Sequence, residues 1–140
     1  MKFREFEFPE SLKYNDDYSW VRIENDVVVV GVNDYGAKLV KQFVFVDLPE
    51  KNKEIKRGEN YVTLEAIKWT GSLKSPISGK IIEVNEKVFD NPEIINKDPY
   101  GQGWIMKIKI KDKNEINDLK SAEQLIESIK KKENKSVKNK

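Results

Sequence analysis

The hydrophobic and polar positions of this chain rarely hold one period for more than a few residues. In "YSWVRIENDVVVVGVND", Val21 and Ile23 alternate with Arg22 and Glu24, the two-residue period of a half-buried strand. The "END" that follows supplies turn chemistry, and the unbroken run Val27–Val30 predicts a buried second strand. A short helix is expected in "NDYGAKLVKQF", capped by Asn33 or Asp34, with Ala37, Val40 and Lys41 one turn apart. "FVFVDLP" is β-branched and aromatic up to Pro49 and predicts a strand. "EKNKEIKRGEN" is a charged loop. "YVTLEAI" sets Val62, Leu64 and Ala66 on one face of a strand and Tyr61, Thr63, Glu65 and Ile67 on the other. "SLKSPISGKIIEVNEKV" predicts a strand, a Pro–Gly turn and a second strand. "DNPEIINKDPYGQG" is a loop with one helical turn expected at Pro92–Asn96, since proline suits the first helical position. "WIMKIKIK" alternates and predicts a half-buried strand.

Near the C-terminus the period lengthens. Leu119, Ala122, Leu125, Ile126 and Ile129 share one helical face, so a helix should lay an apolar stripe on the sheets. Asn117 or Asp118 is a suitable cap, and Lys130–Lys132 suit the C-terminal end of the helix dipole. Many short strands and one late helix predict an all-β sandwich or barrel with helical additions. With 140 residues, one domain is expected over 1–132, followed by a disordered basic tail at 133–140.

Composition narrows the chemistry. The chain has no Cys and no His. That excludes disulfides, thiolate metal sites and Cys nucleophiles, and it removes the usual general base and zinc ligand. An ordinary hydrolytic or metal-dependent enzyme is not expected, and no metal site is assigned. The formal charge of +2 is misleading, because residues 130–140 hold six lysines and one glutamate and the rest of the chain is net acidic. No basic, aromatic-interleaved face is left for nucleic acid. No apolar run is long enough for a membrane span, and the N-terminal "MKFREFEFPE" is too acidic for a signal peptide, so a cytoplasmic monomer is expected.

One lysine stands out by position. Lys68 lies ten residues after Gly58 and eleven before Gly79. A hairpin bounded by those glycines turns between Lys68 and Trp69. Lys-Trp is poor turn chemistry, since two-residue hairpins favour Asn-Gly or Asp-Gly. An exposed Trp69 has little at an apex to bury against. A lysine held out on a rigid turn offers a free primary amine, which acylation converts to a neutral amide.

The residues around it carry a resemblance. "EIKRGENYVTLEAIKWTGSLKSPISGKIIEVNE" resembles the attachment region of biotinyl/lipoyl carrier domains, and most closely that of the glycine cleavage H-protein family. Glu65 stands three residues before Lys68, and Pro76-Ile77-Ser78-Gly79 begins eight after it, as in that family. "SWVRIENDVVVVGVNDYGAKLVKQFVFVDLP" and "VNEKVFDNPEIINKDPYGQGWIMKIK" extend the likeness over about residues 8–130.

The resemblance implies a mainly β barrel-sandwich hybrid with lipoate amide-linked to Lys68 as a swinging arm. It implies a non-catalytic carrier served by a lipoate ligase or lipoyl transferase. Its partners would be glycine decarboxylase, aminomethyltransferase and dihydrolipoyl dehydrogenase. The alternative is the same carrier in another lipoate pathway, such as sulfur oxidation with a heterodisulfide-reductase-like complex, or lipoyl relay. Biotin carriers usually flank the lysine with Met, whereas Ile67 and Trp69 stand here. The cleft implied for a loaded arm lies near Asp34, Tyr35, Glu65 and Gly71-Ser72. This chain departs from the family pattern at Tyr18-Ser19, at Val40-Lys41-Gln42, at Trp69 and at Ser72, where an acid is usual.

Overall fold

A computed structural model describes residues 1–138, with side chains described through residue 134. An N-terminal hairpin, β1 (Lys2–Phe3) and β2 (Phe6–Glu7), leads into β3 (Lys13–Tyr14), β4 (Ser19–Glu24) and β5 (Val27–Val32). Then come α1 (Asp34–Val40), β6 (Phe43–Asp47), β7 (Glu54–Ile55), β8 (Asn60–Ala66), β9 (Trp69–Lys74) and β10 (Gly79–Val84). Two short helices, α2 (Glu86–Asp90) and α3 (Glu93–Lys97), precede β11 (Met106–Ile110). A 3-10 helix (Lys113–Asp118) and α4 (Ala122–Lys138) finish the described chain. The architecture is mainly β, with short helices and a C-terminal helix. Among the described residues all strand pairings are antiparallel: the two-stranded β1-β2 hairpin, a six-stranded sheet of order β3-β4-β5-β11-β10-β7 and a three-stranded sheet of order β6-β8-β9.

The valine run is buried because both faces of β5 are covered. Val28, Val30 and Val32 join the core between the two sheets, with Val46, Leu64, Ile81 and Ile108. Val29 points the other way, into a second core with Phe8, Tyr14, Trp20, Leu125 and Ile129. A strand buried on both faces reads as a continuous apolar run, not an alternation. The second core is the one that α4 closes. Leu125, Ile126 and Ile129 are nearly inaccessible, and burial of such side chains contributes roughly 1.5–3 kcal/mol each.

Several expectations shift. The cap of α4 is Ser121, not Asn117 or Asp118. Its Oγ accepts from the Gln124 N–H at 3.1 Å, while Gln124 Oε1 accepts from the Ser121 N–H at 2.9 Å, a reciprocal capping box. The helix starts late because residues 113–118 turn as a 3-10 helix and Lys120 exchanges backbone bonds with Tyr14. Leu119 therefore packs on the first core from outside the helix. The boundary expected at residue 132 falls inside α4, and Glu133 is held by Arg4 through two hydrogen bonds. Residues 139–140 of the expected tail lie outside the described residues. The strand expected through Val88 stops at Val84, because Asn85 turns the chain into α2. Its amide donates to the carbonyls of Gln102 and Trp104. The charged loop contains the short strand β7.

Candidate attachment site on the β8–β9 hairpin

Ala66 pairs with Trp69, so the two residues left to turn are Ile67 and Lys68. The apex lies one residue earlier than the glycine midpoint suggests. Neither turn residue has a positive φ, so the turn is not the mirror-image type that selects Asn-Gly. The shift is explained by Trp69. It has a place to go: its ring lies back over Gly71, where an added Cβ would come 2.7 Å from Trp69 Cη2. The ring meets Tyr18 at a centroid distance of 6.4 Å and packs on the first core. Trp69 is thus half-buried, contrary to the exposed tip residue expected. Ile67 is the exposed one, at 75%.

The arms of the hairpin are fixed at their base. Gly58, at φ +92°, donates its N–H to the Ser75 carbonyl at 2.9 Å. Gly79 packs so closely on β11 that a Cβ there would meet the Lys109 carbonyl oxygen and lie 2.6 Å from Ile108 Cγ2. Ser78 is bonded through both its N–H and its hydroxyl to Glu115. Lys68 itself is exposed. Its amine stands on a hairpin paired along both arms and has no ion-pair partner among the described residues.

The other candidate residues divide by face. Side chains at paired positions lie on the same side of a sheet. The register sets Phe45, Glu65 and Thr70 in one row and Asp47, Thr63 and Ser72 in the next. Both rows face outward: Phe45, Asp47, Glu65, Thr70 and Ser72 are exposed and Thr63 is half-buried. Ser72 Oγ lies 3.0 Å from Thr63 Oγ1. Val46, Leu64 and Gly71 lie on the opposite, inward face, as do Ala66 and Trp69. Tyr61, expected beside Thr63 and Glu65, is buried instead; a register shift between Asn60 and Val62 turns it inward. Its hydroxyl sits 2.7 Å from Ser19 Oγ, and burial pushes its pKa well above the ordinary tyrosine value.

Asp34 and Tyr35 are at the start of α1, where Asn33 is the cap and accepts from the Gly36 N–H at 2.8 Å. Asp34 is largely committed to structure. Its Oδ2 accepts from the Glu7 N–H at 2.9 Å and pairs with Lys38 Nζ at 3.1 Å. The Tyr100 hydroxyl accepts from the Asp34 N–H and donates to the Glu7 carbonyl, so this cluster fastens the N-terminal hairpin. Tyr35 stacks edge-on to Phe6 at 4.8 Å and to Tyr18 at 6.2 Å. The hairpin residues Lys68, Glu65 and Ser72 are therefore one group, and Asp34 and Tyr35 another.

The aromatic series Trp69–Tyr18–Tyr35 connects the two groups. It ends at a cavity of about 270 Å³ lined by Asp17, Tyr18, Asn33, Tyr35, Leu125 and Ile129. Asp17 is a residue that the sequence reading does not single out. Its carboxylate accepts from the Ser19 N–H and the Lys74 N–H, both at 2.8 Å, and so ties the loop before β4 to the edge of β9. The turn-forming "NDD" ahead of β4 is the available signal.

Comparisons with known proteins agree on one relationship. A family model described as glycine cleavage H-protein matches residues 12–132. A probable glycine cleavage system H protein of Aeropyrum pernix is 46% identical over 122 residues, covering 87% of this chain and 85% of that protein. The glycine cleavage system H protein of Bacteroides thetaiotaomicron is 41% identical over 116 residues, covering 83% and 92%. The crystal structure of a glycine cleavage system H protein from Mycobacterium marinum superposes with a TM-score of 0.78 at 30% identity, covering 84% of this chain and 95% of that one.

Proposed function

This chain belongs to the glycine cleavage H-protein family, whose members are carrier components and not catalysts, and on that premise we propose that Lys68 is its lipoylation site. The observation that carries the proposal is the mount: an exposed lysine in a two-residue turn, without an ion-pair partner among the described residues. Such a site fits an amide-linked acid well. A neutral amide replaces an exposed charge, and no buried partner is orphaned by the change. When attached, lipoate would supply a dithiolane able to carry an aminomethyl group from one partner to a second and to give up its electrons to a third.

The chain's own part is presentation. Trp69 packed on Gly71 and Tyr18 keeps the second arm of the hairpin rigid. Gly79 and the Ser78–Glu115 bonds hold its base. What remains free to move is the lysine stem and whatever it bears. The partners in this reading are a lipoate ligase or lipoyl transferase, a glycine decarboxylase, an aminomethyltransferase and a dihydrolipoyl dehydrogenase, in a cytoplasmic setting.

One observation favours a second reading, the same carrier serving another lipoate pathway. Ser72 offers a hydroxyl closed on Thr63 where the family usually has an acid, and a cationic cargo gains from a carboxylate at its resting place. The test is carbon dioxide exchange with lipoylated protein, glycine and a decarboxylating partner. Exchange above the unlipoylated control supports glycine cleavage. Its absence, with normal reduction by dihydrolipoyl dehydrogenase, supports the second reading.

A further inference from the structure

The outer face of the three-stranded sheet carries an apolar patch that the carrier role leaves unused. Phe45 is 41% exposed on β6 and Phe89 is 53% exposed on α2; their rings meet edge to face at 6.2 Å. Val44, at a bulge in β6, is 50% exposed beside them. Two aromatic rings held half in water are costly to leave uncovered, and paired aromatics are the usual anchors of protein interfaces. We propose that this patch is where the enzyme that acylates Lys68 docks. The inference rests on the lipoylation of Lys68 proposed above.

Geometry and charge select that occupant. Phe45 lies in register with Glu65 on β8, and Glu65 is three residues before Lys68 in the chain. At the usual rise per residue the patch is roughly 10 Å from the tip. Partners that act on the far end of a long arm have no need to touch the hairpin. Acylation is different, because it happens at Nζ. The neutral amine attacks the carbonyl carbon of an acyl-adenylate and the amide C–N bond forms. The acyl–phosphate bond breaks, AMP leaves with the bonding electrons, and the amine's proton passes to solvent. The enzyme's active site must therefore close on the lysine itself, and its surface must cover what lies within about one stem length beyond. The rim next to the patch on the outer face is acidic: Asp47 and Glu65 are exposed and absent from the ion pairs formed among the described residues. The complementary surface has an apolar socket bordered by Lys or Arg, and its opposite charges steer the encounter.

The test is steady-state acylation by a lipoate ligase with lipoate and ATP, varying the carrier. Phe89→Ser, Phe45→Ser and the double variant are compared with wild type, with Ile23→Ser on the other sheet as control. Circular dichroism melts establish that each is folded; Phe89→Ser changes an exposed side chain and keeps the test valid if Phe45→Ser does not fold. The proposal expects the KM for the carrier to rise about tenfold or more for Phe89→Ser and further for the double variant. It expects kcat within about twofold and Ile23→Ser at the wild-type value. Adding Glu65→Lys raises KM again and flattens its salt dependence. Wild-type acylation with unchanged KM in every folded variant overturns the docking surface and leaves Lys68 standing. Failure to acylate wild type at Lys68 overturns both. A wild-type dimer that Phe89→Ser separates assigns the patch to a second copy and also overturns the proposal.

Discussion

Replacing Leu125 by alanine separates the two cores. Leu125 is 2% exposed and packs in the second core with Phe8, Tyr14 and Trp20. Buried Leu→Ala changes cost about 2–5 kcal/mol, according to how far the surroundings collapse. Leu125 also borders the cavity beside Tyr18 and Tyr35, so part of its surface has no neighbour to lose, and the lower half of that range, about 2–3 kcal/mol, applies. For a domain of this size each kcal/mol lowers the melting temperature by about 3–4 °C, so a fall of about 6–12 °C is expected. The β8–β9 hairpin packs on the first core, through Val62, Leu64, Leu73 and Trp69. Acylation of Lys68 at 25 °C should consequently stay within about twofold of wild type. Differential scanning calorimetry and a ligase assay on one preparation measure both. A melting temperature lowered by less than about 2 °C would refute the docking of α4 on the second core. A large loss of acylation in protein that is still folded would refute the independence of the hairpin.

Gly79→Ala should destabilise the fold by roughly 1–3 kcal/mol or more, since its Cβ would collide with the Lys109 carbonyl in β11; urea unfolding at neutral pH measures it. Tyr61→Phe should cost about 1–3 kcal/mol by leaving the buried Ser19 hydroxyl without its partner, read from the same titration, while Tyr61→Phe with Ser19→Ala should recover part of the loss. Burial raises the pKa of Tyr14, Tyr61 and Tyr100 in the folded protein. Groups raised in this way stabilise the fold fully below the unfolded tyrosine value of about 10, and that stability is lost as pH rises past it. Alkaline unfolding above about pH 10 should therefore coincide with the rise of tyrosinate absorbance of these residues. Tyrosinate that forms fully before the circular dichroism changes would contradict their burial.

The elements with a clean period were legible. Val21 and Ile23, the Val27–Val30 run and most of "FVFVDLP", "YVTLEAI" and "WIMKIKIK" lie in strands, trimmed by one to three residues at their ends, and the stripe from Ala122 to Ile129 became the docked face of α4. What the period did not show was decided by partners distant in the chain. Tyr61 turned inward because Ser19 and a register shift receive it. The cap of α4 moved to Ser121 because Lys120 is bound to Tyr14. Trp69 moved the apex by one residue because Gly71 and Tyr18 leave it a place to lie. The exposed turn position of Lys68 was legible because its mount is local: a turn between two periodic arms with glycines at the base. Asp34 was visible as a helix-terminal acid, but its bond to the Glu7 N–H joins segments 27 residues apart and has no local signature.

The most direct measurement is a peptide-resolved mass spectrum after incubation of the wild-type chain and Lys68→Arg with lipoate, ATP and a lipoate ligase. Arginine keeps the charge and the exposed position but lacks the primary amine. Wild type should gain one lipoyl group, mapped to the peptide that contains Lys68. Lys68→Arg should melt at the wild-type temperature and gain none. A lipoyl group mapped to any other lysine, or unchanged modification of Lys68→Arg, would contradict the assignment.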